Sequence, residues 1–247
     1  MSIKPTRRLP WRVAQVTHNQ PETDTAHTIG LNVAGWPGHQ AGQHVDVKLT
    51  AEDGYSSQRS YSLGRPSDGE RIELTVERVV DGEVSPYLTG MSTGDEIEVR
   101  GPFGGWFVWH PEVLTPALLI GGGSGIVPLM AMLRQRVDAT SGADVDVVYA
   151  ARSPAAMYYT DELKLLDREF RWLRLTLAYT RSIPPHVTRP AGRLAPKDLA
   201  LPGWMPGVDV RIYVCGPTGF VESVTAILIG QGHRPSTIRT ERFGPSA

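Results

Sequence analysis

Ala117-Leu118-Leu119-Ile120-Gly121-Gly122-Gly123-Ser124-Gly125-Ile126-Val127-Pro128 is the stretch from which the rest of the chain is read. A short apolar run ends in glycines, and over 126–137 the apolar residues recur at helical spacing, which predicts strand, tight loop and helix. Glycines let a ligand approach the backbone. The helix behind them offers free N–H groups and the positive end of its dipole to a phosphate. The spacing departs from G-x-G-x-x-G, because the last glycine falls at Gly125, one residue early. A strand-to-helix turn that binds nothing has the same local pattern, so the loop alone does not name a ligand.

Downstream, strands are expected over 145–150, 172–179 and 211–215, and helices over 160–169 and 219–229. Strands alternating with helices imply a parallel sheet. The proline- and glycine-rich loop 180–207 is long for a compact domain and is expected to carry a short helix at 196–200. Upstream the period is two. Strands are expected over 11–17, 25–33, 44–49, 58–63, 71–78 and 96–100, separated by turn residues, the pattern of an antiparallel barrel or sandwich. In 71–76, Ile72, Leu74 and Val76 alternate with Arg71, Glu73 and Thr75, so one face is expected to be buried and the other wet. The boundary falls near His110, giving domains of 1–110 and 111–247.

With 40% apolar residues and a net charge of -1, the chain reads as globular with no global attraction to nucleic acid. The basic start Met1-Ser2-Ile3-Lys4-Pro5-Thr6-Arg7-Arg8 is followed by no long apolar run, and no apolar stretch is long enough to span a membrane, so a cytoplasmic enzyme is expected. The single cysteine, Cys215, can form neither an internal disulfide nor a four-cysteine iron–sulfur site. Electron chemistry would then need an organic cofactor or another metal, and no metal site is expected.

Arg59-Ser60-Tyr61-Ser62 closes a strand, where alternate residues share a face, so Arg59 and Tyr61 point one way and Ser60 and Ser62 the other. Arginine suits a pyrophosphate, a tyrosine ring stacks on a planar heterocycle, and a serine hydroxyl can donate to a ring nitrogen. Read alone, a surface arginine and a half-buried tyrosine explain the pattern better than a ligand site. Further along come Gly82-Glu83-Val84-Ser85, Gly101-Pro102-Phe103-Gly104, the 121–128 loop, Tyr149-Ala150-Ala151-Arg152, Cys215-Gly216-Pro217 and Glu241-Arg242-Phe243. In that order they resemble the ferredoxin–NADP reductase superfamily over about residues 12 to 244, most closely reductase components of bacterial oxygenases without their iron–sulfur domain.

The resemblance implies a flavin-binding antiparallel Greek-key barrel followed by a parallel-sheet nicotinamide-dinucleotide-binding domain, in agreement with the change of period. It implies that Arg59 binds flavin phosphate, Tyr61 stacks on the isoalloxazine and Ser62 hydrogen-bonds near N5, with Ser60 in the same segment. Gly82, Val84 and Ser85 resemble the second phosphate-binding turn, Ser85 opening a short helix; an N-capping serine is the plainer alternative. Gly122, Gly123, Ser124 and Gly125 resemble the dinucleotide pyrophosphate loop, and Cys215, Gly216 and Pro217 the strand end that receives the nicotinamide. Glu241 and Phe243 resemble the pattern of an acid two residues before an aromatic that covers the flavin, although four residues follow Phe243 here. Ser62, Cys215 and Glu241 are accordingly expected around the point of hydride transfer.

FAD rather than FMN is expected from the resemblance and from Ala51-Glu52-Asp53-Gly54-Tyr55, a loop suited to the adenosine half. NADPH is preferred over NADH. Thr180 and Arg181 follow the strand ending at Tyr179 with no acid there to hold two ribose hydroxyls, and Arg152 follows the strand before it. The acceptor implied is a separate ferredoxin or flavodoxin. A free-flavin or ferric-siderophore reductase, or an electron-transfer subunit of a larger complex, is the alternative.

Overall fold

A computed structural model describes residues 9–112, 114–139 and 142–244, so the basic start at residues 1–8 lies outside the described residues. Six strands form the first sheet: β1 (Arg12–Pro21), β2 (Ala26–Val33), β3 (His44–Thr50), β4 (Ser56–Ser62), β5 (Arg71–Glu77) and β6 (Glu96–Phe103). Their order is β4-β3-β6-β1-β2-β5, all neighbours antiparallel, and a bridge between Leu63 and Leu74 draws the two edges together. Alternate apolar side chains, among them Val45, Val47, Leu63, Ile72, Leu74 and Val99, fill the interior. The one helix of this half, α1 (Val84–Gly90), lies between β5 and β6.

Beyond it lie β7 (Ala117–Gly122), α2 (Ile126–Asp138), β8 (Val145–Ala151), α3 (Thr160–Glu169), β9 (Leu173–Tyr179), α4 (Pro196–Leu199), β10 (Arg211–Pro217), α5 (Thr218–Gly230) and β11 (Ile238–Phe243). The five strands are parallel, in the order β11-β10-β7-β8-β9. β7 and β8 are buried along their whole length, as continuous apolar strands covered on both faces must be. Successive strands are added to one side of β7 as β8 and β9 and then to its other side as β10 and β11, and this switch leaves a crevice at the carboxyl ends of β7 and β10. The six-residue β11 was not expected from the sequence.

The expectation of a wet face on β5 is overturned. Glu73 and Thr75 are each 5% exposed, as enclosed as the strand's apolar side. Arg134 of α2 pairs with Glu73 at 2.7 Å, and the Tyr159 hydroxyl meets Thr75. The alternation is real, but the polar face is covered by the second half of the chain. One apolar cluster continues across the junction, joining Ala26 and Ala41 to Phe107, Trp109, Met132 and Tyr213. Among the described residues no helix is long and apolar enough to cross a membrane.

His39 ties the barrel's rim through a neutral imidazole. The Trp36 indole N–H donates to Nδ1 at 3.0 Å, so Nε2 carries the proton and donates to the Arg65 carbonyl at 2.8 Å. Burial holds its pKa below 6.5 against the raising effect of the Arg65 carbonyl. The unfolded chain therefore binds a proton that the folded one does not in the window below pH 6.5. The stability this gives is whole above pH 6.5 and is lost as pH falls through the depressed folded value. Denaturation midpoints measured from pH 7 down to about 5 should fall less steeply in His39→Gln than in the parent; an equal slope would contradict the assignment.

Candidate active site

On the barrel side, β4 pairs with β3 so that Ser62 faces His44, Tyr61 faces Val45, Ser60 faces Asp46 and Arg59 faces Val47. Arg59 and Tyr61 thus share the side of the buried valines, and Ser60 and Ser62 share the other. Tyr61 packs on the barrel core, and burial pushes its phenol up to about 12 against the pull of Arg59. Among the described residues the exposed Arg59 guanidinium bonds only to the Gln58 carbonyl, at 2.7 Å, leaving donors for an anion. The Ser60 hydroxyl is already used. It donates to Asp46 at 2.7 Å, which also pairs with Arg100.

Gly82 and Ser85 stand beside one another before and within α1. Asp81 takes a left-handed φ of 64°, and the Gly82 N–H donates to the Val79 carbonyl at 3.1 Å. Ser85 is not the helix cap, since Glu83 precedes the first helical residue, Val84. Its hydroxyl instead accepts the Val79 N–H at 3.0 Å and holds the turn shut. The Tyr55 hydroxyl donates to Glu83 at 3.1 Å, bringing the tip of the β3–β4 hairpin over to the same turn.

Opposite, the glycine loop is a cradle made by missing side chains. A Cβ at Gly122 or Gly216 would meet the Phe220 ring at 2.7 Å, and one at Gly125 would lie 2.1 Å from the Cys215 carbonyl oxygen. Gly123 has φ +57°, and Ser124 is half-buried in the same turn. Because the contact at Gly125 is with backbone, no rotamer relieves it. Gly125→Ala should lower stability by about 1–3 kcal/mol and weaken NAD(P)H binding without releasing flavin, checked by thermal melting and cofactor titration. Unchanged dinucleotide binding would separate this loop from the nucleotide.

Cys215 is fully buried, and burial, reinforced by the Glu241 carboxylate, pushes its thiol well above the usual range. It is a neutral wall, not a nucleophile. Parallel pairing of β10 with β11 sets Cys215 beside Glu241, Gly216 beside Arg242 and Pro217 beside Phe243. Phe243 packs on the apolar cluster that crosses the junction, and Tyr61 on the barrel core.

The two halves meet at His44, which the sequence reading passed over. Its Nδ1 lies 3.5 Å from Glu241 Oε1, and its strand partner is Ser62. Ser62 is thus the strand neighbour of His44 and Cys215 the strand neighbour of Glu241, so the His44–Glu241 contact brings the two strand ends together. Among the described residues His44 Nδ1 and Glu241 Oε2 are buried polar atoms with no hydrogen-bond partner, and such atoms mark places that a ligand or water completes. Away from this junction, Arg181 and Arg152 sit together at the carboxyl ends of β9 and β8. The Arg181 N–H donates to the Arg152 carbonyl and the Thr180 N–H to the Ala151 carbonyl, each at 2.9 Å, and both arginine side chains are exposed.

Residues 27–108 match the oxidoreductase FAD-binding domain family, and residues 119–226 the oxidoreductase NAD-binding domain family. The chain belongs to the ferredoxin–NADP reductase superfamily. Among its relatives is a flavohemoprotein of Deinococcus radiodurans, 32% identical over 85% of this chain and 53% of that protein. Another is the reductase component of propane 2-monooxygenase from Rhodococcus jostii, 27% identical over 93% of this chain and 62% of that protein. The chain spans about half the length of the flavohemoproteins it matches. The FAD/NAD binding domain of a Vibrio cholerae nitric oxide dioxygenase superposes with a TM-score of 0.82 at 28% identity, covering 97% of this chain and all of that one. Both matched families are oxidoreductase domains, the first FAD-binding and the second NAD-binding.

The residues present fit the superfamily's two cofactors. At Gly123 nothing lies within 4 Å of where a Cβ would stand, so the loop's backbone is open to a dinucleotide at the switch point of the sheet, and the free donors of Arg59 suit a flavin phosphate.

Proposed function

We propose that this protein takes hydride from NADPH onto bound FAD and passes the electrons to a separate acceptor protein of ferredoxin or flavodoxin type. When bound, FAD supplies a carrier that accepts two electrons together from a nicotinamide and returns them singly. The observation that carries the reading is the approach of His44 to Glu241, which sets a barrel strand end, with Ser62 opposite His44, against a parallel-sheet strand end, with Cys215 beside Glu241.

In this reading residues 1–110 form the FAD unit and 111–247 the NAD(P)H unit. Arg59 holds the flavin phosphate, Tyr61 flanks the isoalloxazine, and Gly82, Val84 and Ser85 form the second phosphate turn, with Ser60 fixing the strand through Asp46. The 122–125 loop receives the dinucleotide pyrophosphate, while Cys215, Gly216 and Pro217 shape the nicotinamide pocket. Thr180, Arg181 and Arg152 surround the 2′-phosphate. Ser62 donates a hydrogen bond near N5, Glu241 holds the proton that accompanies reduction, and Phe243 borders the same opening.

Steady-state assays of the purified chain with NADPH against a ferredoxin, a flavodoxin, free flavin and a ferric chelate test the acceptor. Turnover with the protein acceptors exceeding that with flavin or chelate supports the proposal, and the reverse order makes it a free-flavin or ferric reductase. Relatives named as flavohemoproteins and as a monooxygenase reductase component support a second reading, an electron-transfer part of a larger assembly. Failure of the isolated chain to reduce any artificial acceptor with NADPH would favour it.

A further inference from the structure

We propose that Arg134 is a positioning residue for hydride transfer, the centre of a latch that sets the separation between the dinucleotide loop and the flavin-side strand end. The inference rests on the function proposed above. Arg134 lies in α2, the helix that begins immediately behind Gly125. Its Nη1 donates to the Gly64 carbonyl and to Glu73 Oε1, each at 2.7 Å, while Nε and Nη2 form a two-pronged pair with Glu162 of α3 at 2.8 and 2.6 Å. Gly64 is two residues beyond Ser62 on continuous backbone. One guanidinium therefore clamps the helix carrying the glycine loop to the strand carrying the candidate N5 donor.

A second arm fixes the angle. Tyr159 has a left-handed φ of 55°, and its ring lies under Arg134 with the guanidinium 4.8 Å from the centroid. Its N–H donates to Glu22 Oε2 at 3.0 Å and its hydroxyl meets Thr75, while the Thr28 hydroxyl donates to Glu22 Oε1 at 2.8 Å. Both partners of Tyr159 belong to the barrel. Taking Glu73 and most of the Arg134 guanidinium out of water costs desolvation that well-packed apolar side chains would avoid, so stability alone gives little reason for them. What the arrangement supplies is direction. Apolar surfaces slide, whereas a forked arginine with four directed hydrogen bonds accepts one register.

The test compares Arg134→Leu and Arg134→Lys with the parent. In the cofactor-free chain, hydrogen exchange over 157–163 should quicken about tenfold in Arg134→Leu while the barrel strands keep their protection. In the FAD-loaded protein, flavin content and the Kd for NADP+ should stay within about twofold. Reduction at saturating NADPH should slow about tenfold, with a matching loss of long-wavelength charge-transfer absorbance, because a displacement of about 1 Å is enough for such an effect. Arg134→Lys, which keeps the charge without the fork, should fall between. Parental exchange and rate in Arg134→Leu, or a change in KM alone, would overturn the proposal. If Arg134→Leu does not fold, Glu162→Gln, which weakens one prong pair, must show the same directions in smaller size or the proposal fails. A parent that NADPH does not reduce would sink the functional reading, and the exchange experiment without cofactor would still judge the latch.

Discussion

Ser62→Ala should keep its FAD and be reduced by NADPH about 10²-fold more slowly, the lower range for loss of one transition-state donor. Ser62 ends β4 opposite His44, half-buried, and its hydroxyl has no hydrogen bond to a protein group among the described residues. Binding of flavin rests in our account on Arg59, Tyr61 and the 82–85 turn, so removal of one oxygen leaves those contacts in place. Reduction concentrates negative charge near N5, and a hydroxyl donor there is worth more in the transition state than in the ground state. Removing it therefore lowers the rate at saturating NADPH and not the affinity. Stopped-flow reduction of the fully flavin-loaded variant measures this; an unchanged rate removes Ser62 from the mechanism. Glu241→Gln gives the companion result, since its carboxylate is held beside His44 and Cys215.

Arg181→Ala should raise KM for NADPH by up to about 10²-fold and leave KM for NADH almost unchanged, as expected for loss of hydrogen bonds to a charged group, about 1.5–3 kcal/mol. Strands β8 and β9 end side by side, and backbone bonds from Thr180 and Arg181 to Ala151 and Arg152 hold the two arginines at one corner of the sheet. Neither guanidinium is engaged in an ion pair among the described residues. In our proposal, two exposed cations at one corner of the sheet without carboxylate partners suit a phosphate monoester better than two ribose hydroxyls. Equal losses with both nucleotides would show that Arg181 acts on the shared part of the dinucleotide or on the loop itself.

Periodicity made most of this architecture legible. Strands with alternating or continuous apolar residues announced the barrel and the parallel sheet, and the glycine run announced the crevice between β7 and β10. Edge strand β11 escaped because Arg239, Glu241 and Arg242 break its apolar pattern, although Ile238 anchors it and β10 pairs along it. Glu73 and Thr75 were misread for a different reason: alternation tells which side chains are polar, and not whether water or another polar surface covers them. Ser85 has the composition of a cap but sits inside the helix, holding Val79. The order of motifs brought Ser62, Cys215 and Glu241 forward as a group. His44 did not emerge with them, because its significance comes from strand register and from a contact between halves of the chain, neither of which leaves a local mark.

The central claim is that electrons from NADPH enter the bound flavin across the junction of the two halves. Anaerobic titration of the FAD-loaded protein with NADPH, and in parallel with NADH, followed through the flavin absorbance, tests it most directly. The account predicts complete bleaching at about one equivalent of NADPH, slower bleaching with NADH, and recovery of the oxidised spectrum when an oxidised ferredoxin or flavodoxin is added. A flavin-loaded protein whose spectrum neither nicotinamide changes would contradict it.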